Sequence, residues 1–265
     1  MAGFAAETPT LPPATDTNSY ALGSREVILV EPATPYEAEQ QAWLAWARAI
    51  EANGATIVAL FATHHHPDHV GGAAFFLEAL GVPLWAHEAT AARLRTPVAR
   101  KLADGETIDL DGPSPQRWKV LHTPGHAPGH LCLFERTLGV AVVGDMVASV
   151  GTILIEPSEG DMTEYLAQLS RLEALGAKVA LPAHGAPIED PGRLFRAYRA
   201  HRYMREERVM MSLGAGGTLD DLLPRAYADV GPDVYPIARM SLEAHLVKLV
   251  RDGRVRRVDD RYVAA

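Results

Sequence analysis

Cysteine is nearly missing from this chain. The single Cys132 among 265 residues rules out an internal disulfide framework and a cysteine-rich zinc site. No apolar run approaches the ~18 residues that suggest a membrane-spanning helix, so no membrane partner is expected. The opening segment MAGFAAETPTLPPATDTNSY lacks a basic start and an apolar stretch, so no secretory leader is expected and a cytoplasmic location is the simplest expectation. Internal repeats and low-complexity tracts are also lacking. With 48% hydrophobic and 22% charged residues, the composition excludes disorder, collagen and coiled coil as overall descriptions. The length suits one large domain, or a medium domain with a small one.

The net charge of −8 is unevenly spread. Residues 193–265 hold 14 basic and 10 acidic residues, whereas residues 1–192 hold 11 and 23. The patterning also changes there. Up to Pro191, apolar strand-like runs (Ser24–Val30, Thr56–Phe61, Val82–Ala86, Trp118–His122, Leu131–Glu135, Val140–Val143, Val179–Leu181) alternate with helical segments at Tyr36–Asn53, Ala73–Leu80 and Asp161–Leu175. Residues 7–18, rich in Pro and Thr, are expected to form an extended lead-in. Beyond Pro191 the spacing predicts one long Arg-rich helix over Arg193–Leu213, helices at Thr218–Tyr227 and Pro236–Arg251, and a basic hairpin after Gly253. Helix, turn, helix and hairpin is the layout of a winged helix. The expected division is therefore residues 1–192 and residues 193–265, the second docked on the first and forming one wall of the substrate entrance.

Eleven histidines are present, and most fall in a few clusters. THHHPDH follows an apolar strand and precedes a Gly-Gly pair. Side chains two apart on an extended segment share a face, so His64 and His66 can chelate one ion while His65 points away. Pro67 turns the chain and lets Asp68 and His69 aim at a neighbouring ion. His126 in TPGH, Asp145 in VVGD and His184 in LPAHG each follow a strand, so all can converge on one rim. Neutral imidazole with carboxylate suits zinc, and also iron or manganese.

THHHPDH, TPGH, VVGD and PAHG resemble, in order and spacing, the metallo-beta-lactamase superfamily. TNSYALG, GTILIEPSEGDMTEYLAQLSRL, AHRYMREERVM and AHLVKLVRDGRV resemble its beta-lactamase-like protein 2 group. The resemblance implies an α+β fold, a four-layer αβ/βα sandwich with a small C-terminal winged-helix domain. It also implies a two-ion hydrolase centre, most simply two zinc ions. His64, His66 and His126 would hold the first ion, Asp68, His69 and His184 the second, and Asp145 would bridge them. Asp68 is then the expected catalytic residue, orienting a metal-activated water. Where the family usually has Asp-Thr-Gly, this chain reads Glu31-Pro32-Ala33, which makes Glu31 the candidate to orient a metal-binding histidine. His65 is expected on the rim, His130 near the site without ligating, and His122 in a structural role.

Three functions remain open on the sequence. The first is hydrolysis of a small-molecule ester, lactone or thioester, suited to an acidic metal domain without long insertions. The second is a metal-dependent endoribonuclease on single-stranded RNA, suited to the basic C-terminal part with Arg254, Arg256 and Arg257 in its hairpin. In the long helix, arginines recur every three residues from Arg193 to Arg208, and such a row spirals around a 3.6-residue helix instead of forming one stripe. The third is a non-catalytic, ligand-sensing DNA-binding protein, although Pro236–Arg251 offers few polar base-reading residues.

Overall fold

A computed structural model describes residues 2–265. Two sheets pack face to face. The first has six strands in sequence order: β1 (Ala2–Glu7), β2 (Asp16–Gly23), β3 (Glu26–Val30), β4 (Thr56–Phe61), β5 (Leu84–His87) and β6 (Arg100–Leu102). The second comprises β7 (Thr107–Leu110), β8 (Gln116–His122), β9 (Leu131–Glu135), β10 (Val140–Gly144) and β11 (Val179–Pro182), in the order β11-β10-β9-β8-β7. Helices α1 (Glu37–Ala52), α2 (Pro67–Val70), α3 (Ala73–Leu80) and α4 (Glu88–Ala91) accompany the first sheet, and α5 (Met162–Ala174) and α6 (Pro191–Leu213) accompany the second.

The strands read as continuous apolar runs because both their faces are covered. In β3, Ile28 and Val30 enter the core between the sheets, with Phe61, Trp118, Val120 and Leu133, while Val27 and Leu29 face the helices. Trp43 of α1 fills that outer layer, stacked on Phe76 at 3.9 Å between ring centroids. Its indole N–H donates to Ser19 Oγ (2.7 Å), and Ser19 donates to the Glu31 carbonyl (2.6 Å). The second sheet buries Leu121, Cys132, Ala141 and Val143 under Tyr165, Leu169 and Phe195 of α5 and α6. This gives the four-layer αβ/βα sandwich.

The C-terminal part adds α7 (Leu219–Ala226), α8 (Tyr235–Arg251) and the hairpin β12 (Val255–Val258)–β13 (Arg261–Ala264). Helix α6 serves two cores: Phe195 and Tyr198 pack under the second sheet, and Val209 and Leu213 pack with Leu222, Leu242, Leu246 and Leu249. Ala244 of α8 reaches the sheet-side core, and Arg251 pairs with Asp161, which caps α5.

Residues 7–18 do not form a simple lead-in. Strands β1 and β2 make an antiparallel hairpin from Ala2↔Ala21 to Glu7↔Asp16, with the turn between them carried out beyond the sheet. The short strands β6 and β7 were not signalled by any apolar run of useful length.

Candidate metal centre

Strands β8, β10 and β11 run in one direction, and the segments after β4, β8, β10 and β11 meet on one rim. Each of the seven anticipated side chains lies there. His64 Nε2, His66 Nδ1 and His126 Nε2 are mutually 2.9–3.2 Å apart. Asp68 Oδ2 lies 3.7 Å from His69 Nε2 and 3.5 Å from His184 Nε2. Asp145 stands between the two groups, its Oδ2 3.5 Å from His126 Nε2 and 3.6 Å from His69 Nε2, its Oδ1 3.4 Å from His184 Nε2.

The far nitrogen of each ring has an oxygen partner, which sets its tautomer. His64 Nδ1 donates to Thr63 Oγ1 (3.0 Å), and Thr63 Oγ1 donates to Glu31 Oε1 (2.6 Å). His69 Nδ1 donates to Glu31 Oε1 (3.1 Å), His126 Nδ1 to the Leu154 carbonyl (2.8 Å), and His184 Nδ1 to the Asp16 carbonyl (2.8 Å). His66 is turned the other way, with Nε2 against Glu159 Oε1. Five ring nitrogens are thereby directed inward.

Such crowding fits metal ions. A tetrahedral zinc with bonds of ~2.0–2.1 Å spaces its nitrogen ligands about 3.3–3.4 Å apart, close to the separations seen for the three histidines. His69 Nε2 and Asp145 Oδ1 are buried without a hydrogen-bond partner, which is costly unless a ligand takes them up. Burial holds His64 well below the usual histidine range and His126 down at about 4, keeping both in the neutral form that ligates. Burial opposes a charge on His69 too, but the carboxylates of Asp68, Asp145 and Glu31 outweigh it and hold its proton. Burial alone would raise Asp145, yet His69 and His184 hold it well below the usual carboxylate range. Anions and imidazoles thus compensate each other where cations would sit.

Glu159 carried no clear sequence signal: it bonds His66 and also pairs with His65 Nε2 at 2.8 Å, which draws His65 away from the His64 face. His130 lies beside the site, as expected. It donates from Nδ1 to Thr123 Oγ1 (2.8 Å) and accepts the Asp145 N–H at Nε2 (3.0 Å), so it positions Asp145 through its backbone. Gly144 makes that approach possible: φ is +47°, and a Cβ there would lie 2.6 Å from His130 Nε2. Glu31 takes the orienting role despite its extra methylene. Its backbone sits at φ +59°, a left-handed conformation costing ~1–3 kcal/mol for a non-glycine residue, at a position that supports the site. His122 is structural, bonding the Pro128 carbonyl (2.8 Å) and stacking on His87.

A cavity of about 270 Å³ opens onto this rim. His66, Asp68, His126, Asp145 and His184 form its floor. The opposite wall comes from the β1–β2 turn, Pro9–Ala14, and from Val150 and Thr152–Leu154. No residue beyond His184 lines it, so the expected contribution of the winged helix to the wall is wrong. The Pro-rich turn takes that place because the hairpin carries it across the rim, with Thr10 Oγ1 3.5 Å from His184 Nε2.

An αβ/βα sandwich with a His/Asp cluster at its strand ends defines a class of metal-dependent hydrolases. The chain belongs to the metallo-beta-lactamase superfamily, whose profile matches residues 12–184, and residues 218–262 match the beta-lactamase associated winged helix domain. It is 29% identical over 256 residues to an atrochrysone carboxyl ACP thioesterase of Aspergillus chevalieri, covering 90% of this chain and 77% of that protein. It is 26% identical to a beta-lactamase-like protein 2 homolog of Drosophila melanogaster, covering 91% of this chain and 84% of that one. A metallo-beta-lactamase family protein of Thermus thermophilus superimposes with a TM-score of 0.79 at 26% identity, over 99% of this chain and 98% of its own. Among the described residues no helix is long and apolar enough to cross a membrane.

Proposed function

We propose that the protein is a two-metal hydrolase of a small acyl compound: an ester, a lactone or, first among them, a thioester. One observation carries the choice. The cavity has no Lys or Arg in its lining, while Pro9, Leu11, Pro12, Pro13, Val150, Ile153 and Leu154 give it an apolar wall. An uncharged acyl group suits such a wall. A phosphodiester polyanion would find no lysine or arginine there and would meet Glu156 and Glu159. The thioesterase named among the relatives points the same way.

In this reading His64, His66 and His126 would hold one ion and Asp68, His69 and His184 another, with Asp145, within 3.6 Å of His126, His69 and His184, available to both. Zinc is the proposed metal; iron and manganese suit the same donors. When bound, the ions supply Lewis-acid polarisation of the acyl carbonyl and a water of lowered pKa. Asp68, in the cavity floor, takes the proton of the attacking water and returns it to the leaving group. The apolar wall holds the acyl chain and limits bulk water. Glu31, Thr63, Glu159 and the Leu154 carbonyl keep the ligating rings in their productive tautomers. Residues 1–192 act as the hydrolase domain and 193–265 as linker helix and winged-helix domain.

The basic C-terminal charge gives the RNA reading little support, because much of it is spent internally. Arg196 and Arg199 pair with Glu173, Arg205 and Arg208 with Asp229, and Arg254 with Glu206. Helix α8, the element a DNA-binding winged helix would present, commits Leu242, Ala244, Leu246 and Leu249 to packing. The test is side-by-side turnover of a generic acyl thioester and single-stranded RNA by metal-free and zinc-loaded protein. Zinc-dependent thioester hydrolysis is expected. RNA cleavage without acyl hydrolysis would overturn the proposal.

A further inference from the structure

Arg202 lies in the middle of α6 and is 3% exposed, yet it pairs with no carboxylate among the described residues. Its Nη2 donates to the Ile153 carbonyl and to Thr152 Oγ1 (3.3 Å), and its guanidinium lies 5.6 Å from the Tyr165 ring centroid. Burying a guanidinium without an anionic partner costs several kcal/mol, and an unbranched apolar side chain would fill the same space without that cost. The contacts it makes are therefore informative.

They fall on one strip of irregular chain. Between β10 and α5, Ile153 and Ile155 are buried in the core under α5 and α6. Leu154 lies between them, and its carbonyl accepts the His126 Nδ1–H at 2.8 Å. Thr152, Ile153 and Leu154 also line the cavity. One turn earlier on α6, the Tyr198 hydroxyl accepts the Ala148 N–H (3.1 Å) and donates to the Ala148 carbonyl (3.0 Å), anchoring the start of the same strip. Arg202 holds the peptide immediately before the one that orients His126. Without that clamp the strip has no side-chain donor at Ile153, and the Leu154 carbonyl is free to drift from the imidazole.

We propose that Arg202 is a positioning residue for the metal centre: through the Ile153 carbonyl it holds the 152–154 strip so that Leu154 fixes His126 toward the His64/His66 ion. The helix that carries the winged helix thus acts on the site from behind, although none of its residues touches the cavity. This inference rests on the proposed metal centre but not on the proposed substrate.

The test is cobalt(II) binding to the metal-free full-length protein, read by chelator competition and by the visible spectrum of the bound ion, with thermal unfolding in parallel. Disturbing a group that orients a metal ligand costs 10- to 100-fold in affinity. Arg202→Met is expected to weaken one cobalt site ~10-fold and to alter its spectrum. Arg202→Lys, keeping a single donor, should fall between. Arg199→Met, which breaks only contacts to Ser170 and Glu173, should leave affinity and spectrum unchanged. A lower melting temperature with wild-type cobalt affinity and spectrum in Arg202→Met would make Arg202 a packing residue and overturn the proposal. If Arg202→Met does not fold, Arg202→Gln, whose amide is too short to reach the Ile153 carbonyl, takes its place, and unchanged cobalt binding by it overturns the proposal equally. Wild-type protein that binds no cobalt would defeat the metal centre itself, an outcome distinct from variants that match a binding wild type.

Discussion

Replacing Glu31 by Gln should unseat one of two bound ions selectively. Glu31 is 1% exposed and receives three donors: the Thr63 N–H (3.2 Å), the Thr63 hydroxyl (2.6 Å) and His69 Nδ1–H (3.1 Å). Glutamine keeps the shape but replaces one oxygen with an NH₂ group, so at least one buried donor would face another donor. Leaving a buried polar group unsatisfied costs ~1–3 kcal/mol. Loss of an orienting partner weakens a metal ligand 10- to 100-fold, about 1.4–2.7 kcal/mol, so the two routes agree. With the NH₂ group in place of Oε1, the Thr63 hydroxyl can turn to accept from it while still accepting from His64 Nδ1–H, but His69 Nδ1–H has no such choice, so the deficit falls on His69, which groups with Asp68 and His184. Zinc content after equilibrium dialysis against graded chelator should therefore show one ion per chain for Glu31→Gln at free zinc where the wild type holds two. Two ions with an unchanged midpoint would refute the reasoning. Loss of both ions together with the circular dichroism of the folded state would show that Glu31 holds the fold and not one ligand.

On the proposed acyl substrate, Asp68→Asn should lower kcat by ~10²-fold or more with KM changed only a few-fold, because the proton transfer proposed for it matters at the transition state; steady-state kinetics with near wild-type kcat would remove Asp68 from the mechanism. A pH prediction comes from His245, which is fully buried with neither ring nitrogen partnered. Burial, with the neighbouring Arg202 charge, pushes it down to about 3 from 6.5. The unfolded chain binds this proton near pH 6.5 and the folded chain does not, so its contribution to stability is lost as pH falls from about 6.5 towards 3. Between pH 7 and 5 that amounts to ~2 kcal/mol. In His245→Leu this part of the slope should vanish, so urea unfolding should show the variant gaining ~2 kcal/mol on the wild type between pH 7 and pH 5; an equal difference at both pH values would contradict it.

The candidate metal ligands were legible because each is a side chain whose type declares its chemistry and whose position after a β-rich apolar run and before a Pro or Gly turn declares its place. His64, His66, Asp68 and His69 lie within six residues, so local geometry already orders them. His126, Asp145 and His184 follow strands that the apolar pattern marks, and parallel strands in one sheet bring such ends to one rim. The layering was legible for the same reason, since β3, β4, β9 and β10 are apolar on both faces and must be covered on both.

What tertiary structure alone decided lies in contacts without a local signature. Glu159 reaches His66 from 93 residues away, in a stretch whose Pro, Ser and Gly read only as loop. The partner of His126 is a backbone carbonyl, which every residue possesses, so nothing in the letter Leu154 announces it. The β1–β2 turn became a cavity wall through the register of a hairpin whose first strand is mostly exposed and carries no apolar alternation. The arginines of α6 gave a row of charges in sequence, but their partners Glu173 and Asp229, or a carbonyl in the case of Arg202, are set by which helices and loops pack against that row. Ligand identity is encoded locally in residue chemistry; the orientation of those ligands depends on distant backbone and carboxylate groups that meet only once the layers have packed.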